Sequence, residues 1–414
     1  MAQEPDADPI RFLGRDYVGF RNALARQARA WTAGNVHAEW MELPHLEADI
    51  FESGRCTDGS ADLVLVVSDW MPSLIEDGHL LPLTGMLAAE PPQDWPDGWS
   101  PSMRDLLRGT NGQPYALAYH DGPMMTLLRR DLYDDESECA GFLQRFGYPL
   151  EAPTTWQQYL DQAQWFTRPE DGLWGTVLAG LPDGHNTVYD FLLHLWSRGG
   201  AVARDGQVTL NEAPGLAALT FMQDLWNRSG VMPPQARSMD SVASGQFFAD
   251  GHAAMTVNWC GFAALSSLPG SPTRGLVRCA QVPGGGIEPD HDAVSMNVFW
   301  AIGVAAGSRD PGRAYDFLRH LASPEMDRIT SEEGATGTRL STWRNPEVRA
   351  IAPYYDVIED VHRSVQSPPA LRAWPQIGGV INEMVDRVIH QGCQAQPELD
   401  RTAARISQSG WLDD

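Results

Sequence analysis

Five consecutive apolar residues, Leu63-Val64-Leu65-Val66-Val67, constrain this chain more than any other stretch, because they lack the apolar and polar alternation of a half-buried strand. A strand of that kind is covered on both faces, as at the centre of a parallel sheet clothed by helices. Polar Ser68-Asp69-Trp70 follows at once. Ligands of open α/β sheets collect beyond the carboxyl ends of the strands, so Ser68, Asp69 and Trp70 stand where binding is expected. A first strand over residues 10–14 ends in the same way on Arg15, Asp16 and Tyr17. A helix then carries Phe20, Leu24, Ala28 and Trp31 at helical spacing until Gly34 stops it, which makes a βα unit. The next strand is expected over residues 36–43. For each polar residue at these ends, ordinary strand-to-helix turn chemistry is the plainer alternative.

At 414 residues the chain exceeds what one hydrophobic core serves, so two domains are expected. Residues 111–133 show how they would be joined. Two apolar runs, 115–118 and 124–128, flank Tyr119-His120-Asp121-Gly122-Pro123. A hairpin would favour a two-residue Asp-Gly turn, but here Asp121-Gly122 runs into a proline, and the stretch reads as a crossing between two lobes.

Residues 90–100, rich in Pro, Asp and Trp, read as an irregular excursion, and Pro153-Thr154-Thr155 opens a helix with Gln157 and Gln158 placed for a capping box. A strand over 172–180 leads to His185 and Asn186, then to a helix apolar nearly all round (Val188, Phe191, Leu192, Leu195, Trp196). Its polar exceptions, Asp190 and His194, are spaced to pair with each other. Asn211 is expected to cap another helix. Residues 247–259 read as helix, turn and buried strand ending in Asn258 and Trp259, and 276–282 as a further strand. Glycine-rich residues 283–292 form a second expected crossing, matching neither phosphate-binding fingerprint. A strand over 298–305 then carries Phe299 and Trp300 just after Asn297. Helix starts at Asp310-Pro311 and Ser323-Pro324 follow, and an amphipathic helix over 377–389 closes the fold.

The formal net charge of −24 and a pI near 4.7, with no Arg or Lys cluster, argue against nucleic acid and anionic membranes as partners. No run is long and apolar enough to span a bilayer. The first residues show neither a basic nor an apolar region, so the chain is expected to be either cytoplasmic or an exported form whose signal has been removed. The five cysteines are scattered and read as buried thiols, with Cys260 and Cys279 the pair that an oxidising compartment would allow. Hydrolase, metalloprotease and Walker motifs are absent from the sequence. His120-Asp121 and Asp290-His291-Asp292 have metal-ligating side chains but sit in turns, so no metal and no cofactor is expected. No spacing among the 54 acidic residues singles out a glycosidase pair.

Aromatic residues beside hydrogen-bonding ones at element ends remain to be explained. They are Arg15, Asp16, Tyr17, Ser68, Asp69, Trp70, Tyr119, His120, Asp121, His185, Asn186, Asn258, Trp259, Asn297, Trp300, Arg339, Arg372 and Trp374. A sugar offers an apolar C–H face for a ring and a rim of hydroxyls for donors and acceptors, so this set suits a carbohydrate. Taken one at a time, each tryptophan is more readily a core residue with one bonded N–H.

The order of motifs resembles the extracellular solute-binding proteins of ABC importers, in the sugar-binding group related to maltose-binding protein. The resemblance rests on residues 62–70 with 78–83, Gly112-Gln113-Pro114-Tyr115, Pro153-Thr154-Thr155-Trp156, residues 248–255 followed by Trp259, and residues 314–318; His252 stands where lysine is common. It implies a two-lobed type II periplasmic-binding-protein fold, with lobes of residues 9–118 plus 292–328 and 122–288 plus 332–405 and a third crossing near 323–334. It further implies a periplasmic monomer without enzymatic activity that clamps a carbohydrate or sugar derivative by hinge closure and delivers it to a transporter permease. The competing expectation is a carbohydrate-active enzyme, a glycoside hydrolase or lyase, using the aromatic-lined cleft as its active site.

Overall fold

The computed structural model of the chain describes residues 8–285 and 293–412. The strands in chain order are β1 (Ile10–Arg15), β2 (Val36–Met41), β3 (Leu63–Val67), β4 (Ala116–His120), β5 (Met124–Arg129), β6 (Trp174–Thr176), β7 (Ala203–Arg204), β8 (Gln207–Val208), β9 (Ala253–Trp259), β10 (Val277–Ala280), β11 (Ser295–Met296), β12 (Trp300–Val304) and β13 (Val365–Gln366). The chain divides into two compact α/β units. Unit 1 runs to Gly122 and includes Val298–Ile351; unit 2 is Pro123–Asn297 with the chain from Ala352 onward.

Unit 1 is built on a five-stranded sheet in the order β2-β1-β3-β12-β4. Residues Leu63 to Val66 of β3 are fully buried, which accounts for the unbroken apolar run. β3 is parallel to β1 but antiparallel to β12, so the sheet is mixed where the run alone suggested an all-parallel one. Gly14 pairs with Trp40 across β1 and β2, and a Cβ at Gly14 would come within 2.6 Å of that indole. Glycine there lets the ring lie against the strand. The Val18–Ala30 helix buries Phe20, Ala23, Leu24 and Gln27. Asp310 and Ser323 cap the Pro311–Leu321 and Pro324–Glu332 helices by accepting from Arg313 N–H and Met326 N–H.

Unit 2 holds a four-stranded sheet in the order β10-β5-β9-β6, within a shell of helices. Thr155 caps the Trp156–Phe166 helix, and the Gln158 side chain reaches back to Thr154 N–H at 2.8 Å, the expected capping box shifted by one residue. Other expectations need correction. The strand expected over 172–180 is a ladder strand only at β6, with Leu173 in a separate antiparallel bridge to Arg168. Asn211 is no cap: Glu212 precedes the Ala213–Asn227 helix, and the Asn211 amide donates to Asp400. The fold does not close at the Trp374–Ile389 helix, because Ala395–Ser409 adds another, whose buried face of Leu399, Thr402, Ala403 and Ile406 is diluted by polar residues. The five cysteines are free thiols, Cys260 and Cys279 among them.

The chain passes between units after Gly122, after Asn297 and after Ile351. β4 and β5 lie in different sheets, as a crossing requires. The second crossing lies beyond the glycine-rich stretch: Gly284 pairs with Thr155 and Gly285 N–H donates to Ser197 O within unit 2, and residues 286–292, with Asp290, His291 and Asp292, lie outside the described residues. The third lies past 323–334, so residues 332–351 belong to unit 1 and not to the C-terminal lobe. Asp327 is the reason. Its buried carboxylate accepts Thr338 N–H at 2.8 Å and Arg339 N–H at 3.1 Å, tying that turn to the Pro324–Glu332 helix.

Candidate functional site

Strand direction places the site residues of unit 1. Because β12 opposes both neighbours, its amino end lies beside the carboxyl ends of β3 and β4, and Trp300 pairs with Val67 on one side and His120 on the other. β1 runs parallel to β3 and delivers Arg15 to the same edge. There the Arg15 guanidinium lies 5.4 Å from the centre of the Trp300 ring. Trp70 meets Trp300 edge-on at 6.4 Å, and Phe20 joins Trp300 (5.7 Å) to the His120 imidazole (5.1 Å). His120 Nδ1 accepts Thr336 N–H at 2.7 Å, which puts the ring proton on Nε2. Burial pulls His120 down to about 4 despite the neighbouring Asp121 carboxylate, and the Arg15 charge adds to the fall. At neutral pH the ring is therefore a neutral donor through Nε2, which has no hydrogen-bond partner among the described residues. Asp16 pairs with Arg21 at 3.2 Å, and exposed Tyr17 donates to Gly334 O at 3.0 Å.

In unit 2 the carboxyl ends of β6, β9 and β10 share an edge with the amino end of β5, where Met124 pairs with Trp259. Trp259 meets Tyr189 edge-on at 5.7 Å, and Tyr189 meets His185 at 5.9 Å. Asp183 organises this loop. Its Oδ1 accepts His185 N–H and Asn186 N–H, both at 2.9 Å, and its Oδ2 accepts from the Asn186 side chain. Arg372 is exposed in the turn before the Trp374–Ile389 helix, whose Asn382 side chain accepts Gly184 N–H at 3.2 Å.

Several expected ligand residues are instead internal ties, each within its own unit. Tyr119 donates to Gln27 Oε1 at 2.9 Å, deep in unit 1, and burial raises its phenol. Ser68 Oγ accepts Phe299 N–H at 3.2 Å, and Asp121 N–H donates to Thr336 O at 2.9 Å. Asn258 donates to Ser241 O and Ser244 Oγ, tying β9 to the Ser241–Ala249 helix. Asn297 is buried, with its backbone paired to Gln366 and Ser367. Trp374 is buried at the first position of its helix. Arg339 departs furthest from expectation. It is fully buried, stacks 4.4 Å from the Trp99 ring, and donates to Ala322 O, Gln93 O and Asp94 Oδ2 at 2.8, 2.9 and 2.9 Å. A guanidinium so engaged has no fork left for a ligand.

The expectation also missed Tyr189 and Asp183 as organisers of the second cluster. Asp183-Gly184 before a helix start was the available signal for the latter. The pairing of Asp190 with His194 is not formed: His194 faces Arg198 Nη1 at 3.4 Å and the Trp156 ring at 4.1 Å. Among the described residues no group of three His, Cys, Asp or Glu side chains could hold a metal ion, and no helix is long and apolar enough to cross a membrane.

The family model of the bacterial extracellular solute-binding proteins matches residues 48–328, more than half of the chain. The chain belongs to that family. Two curated relatives are similar to this solute-binding protein. A probable ABC transporter-binding protein of Deinococcus radiodurans is 23% identical over 281 residues, 65% of this chain and 66% of the relative. A mannitol-binding protein of Pseudomonas aeruginosa is 26% identical over 356 residues, 80% of this chain and 75% of the relative. Among solved structures, maltose-bound T. maritima MalE3 superposes with a TM-score of 0.82 at 20% identity, covering 97% of this chain and 99% of the other. An ABC transporter solute-binding protein of Agrobacterium radiobacter K84 in complex with ribitol gives the same TM-score, identity and coverage. The fold of this solute-binding protein is therefore the two-lobed one of that group.

Proposed function

We propose that this chain is the substrate-binding component of an ABC importer that captures a carbohydrate or sugar derivative in the periplasm. It acts as a monomer without turnover, closes on its ligand about the three crossings and hands it to a membrane permease. The observation that carries this reading is the cluster around Trp300: an indole at a sheet edge, a cation 5.4 Å from its ring, and a neutral His120 donor two contacts away. A ring for an apolar sugar face and fixed donors for hydroxyls are what such a ligand needs. The Trp259, Tyr189 and His185 rings of unit 2 repeat the pattern. The relative named for mannitol and the similar structure in complex with ribitol support a polyhydroxyl ligand.

Calorimetric titration with D-mannitol, ribitol, maltose and a set of monosaccharides tests the proposal, followed by recovery of the bound compound. Saturable one-to-one binding with the compound recovered unchanged is expected. Absence of binding across the set overturns the carbohydrate reading, and a changed compound overturns the binding-only reading in favour of an enzyme.

A further inference from the structure

The Asn186–Trp196 helix is buried along its whole length from Thr187 onward, yet it carries one carboxyl group, Asp190, with 7% of the residue exposed. Among the described residues that carboxyl accepts no hydrogen bond and forms no ion pair. A nearly buried carboxyl without a protein partner is poorly solvated through its small remaining opening, and such groups persist where something else pairs with them. The surroundings indicate what that is. Tyr189, the preceding residue, meets the Trp259 ring edge-on at 5.7 Å. Asp190 also acts electrostatically on Tyr159, whose hydroxyl bonds Thr176 Oγ1 at the carboxyl end of β6. The unpartnered carboxyl thus lies at the same sheet edge of unit 2 as the aromatic cluster.

We propose that Asp190 is a ligand-reading residue of unit 2, its two carboxylate oxygens accepting hydrogen bonds from two adjacent hydroxyl groups of a polyhydroxyl ligand. The inference rests on the carbohydrate reading above and goes beyond it by naming the acceptor. Burial raises this carboxyl to about 8, and the Asp183 carboxylate in the preceding loop adds to the rise. The empty protein then holds Asp190 mostly protonated at neutral pH. Two hydroxyl donors favour the ionised form, so the proton leaves to the buffer as the ligand enters. Among the described residues, Asp183 is the one charge found to act on Asp190. Tyr159 comes from the Trp156–Phe166 helix, the Trp374–Ile389 helix presents the neutral amide of Asn382 to Thr187, and the Ala213–Asn227 helix presents Phe221 to His194. On the same helix, His194 O accepts from the Arg198 guanidinium one turn further on.

The test compares wild type, Asp190→Asn and Asp190→Leu. Affinity for D-mannitol, ribitol and maltose is measured by calorimetry at pH 7 in two buffers of different ionisation heat, and the melting temperature is measured without ligand. Removal of a charge-assisted acceptor is expected to weaken binding of the responding probe about 10- to 100-fold. Proton release on binding is expected in wild type and not in Asp190→Asn. The ligand-free melting temperature of Asp190→Leu is expected to equal or exceed that of wild type, since the substitution removes an unpaired polar group from an apolar site. Affinity of Asp190→Asn within twofold of wild type overturns the inference while leaving the carbohydrate reading intact. A lower ligand-free melting temperature in both variants also overturns it, by making Asp190 a structural residue. A wild type that binds none of the probes overturns the carbohydrate reading and this inference together.

Discussion

Replacing Arg339 by methionine separates its two roles, because methionine keeps an unbranched stem over Trp99 and deletes only the guanidinium. Three acceptors then lose their donor. Ala322 O is a buried main-chain carbonyl and costs about 1–3 kcal/mol when left unsatisfied, whereas Gln93 O belongs to an exposed residue and costs less. Asp94 is half exposed, its side chain 55% accessible, so water replaces the lost bond there at small cost. Relief from burying a cation offsets part of the loss, since burial already opposes the Arg339 charge. The net expectation is about 3 kcal/mol, near the lower end of what breaking a buried pair costs. A unit of this size shifts by roughly 2–4 °C per kcal/mol, which makes the expected fall in melting temperature about 6–12 °C. Circular dichroism melts and urea titrations of the ligand-free protein read it directly. Arg339→Met with stability within about 1 kcal/mol of wild type but weakened sugar binding would refute the argument and return Arg339 to the ligand site.

His120→Gln should make the protein less sensitive to acid. The imidazole lies at about 4 in the folded state against an ordinary value near 6.5, so its stabilising contribution is complete above pH 6.5 and is lost as pH falls toward 4. That loss amounts to about 2–3 kcal/mol in wild type, and a variant with an unchanged acid profile would sink the assignment. Trp259→Ala is expected to weaken ligand binding by roughly 1–3 kcal/mol with little change in ligand-free melting temperature. Trp300→Ala, which removes a buried ring, should lower both affinity and stability, the latter by roughly 3–5 kcal/mol. Asn258→Leu strips Ser241 O and Ser244 Oγ of their donor and should destabilise unit 2 by about 1–3 kcal/mol. Faster hydrogen exchange over residues 241–249 would report it, and unchanged exchange would count against the anchoring role.

The elements that bury one strong pattern were legible in the sequence. β3 announced itself by an unbroken apolar run, and the helix starts at Asp310 and Ser323 by a cap followed by proline. The mixed pairing of β3 was not, because the burial that fixes an apolar run is blind to the direction of the neighbouring strand. Crossings misread for a related reason. Polar, glycine-bearing residues mark exposure, and the 283–285 stretch is instead held to unit 2 by Thr155 and Ser197. At the site, Arg15, Trp70, His120 and Trp300 come together because all four stand at strand ends, which sequence order reveals. Tyr119, Ser68, Asn258 and Arg339 stand at equally plausible positions but turn inward. Partners far along the chain, Gln27, Phe299, Ser241 and Ala322, decide that, and no local spacing encodes them.

The place of β12 in its sheet also sets an order of events for a chain emerging from the ribosome. Unit 1 has its first four strands by residue 120, yet β3 and β4 do not touch until β12 slides between them. All of residues 123–297, including every strand of the unit 2 sheet, is synthesised in the interval. During that time β3 and β4 each present an open edge, the hazard that folded sheets cover. Pairing over such a separation is slow, since the loop must close before its contacts reward it. Unit 2 can therefore assemble its sheet first, and the sheet of unit 1 closes only when the strand that carries Trp300 arrives.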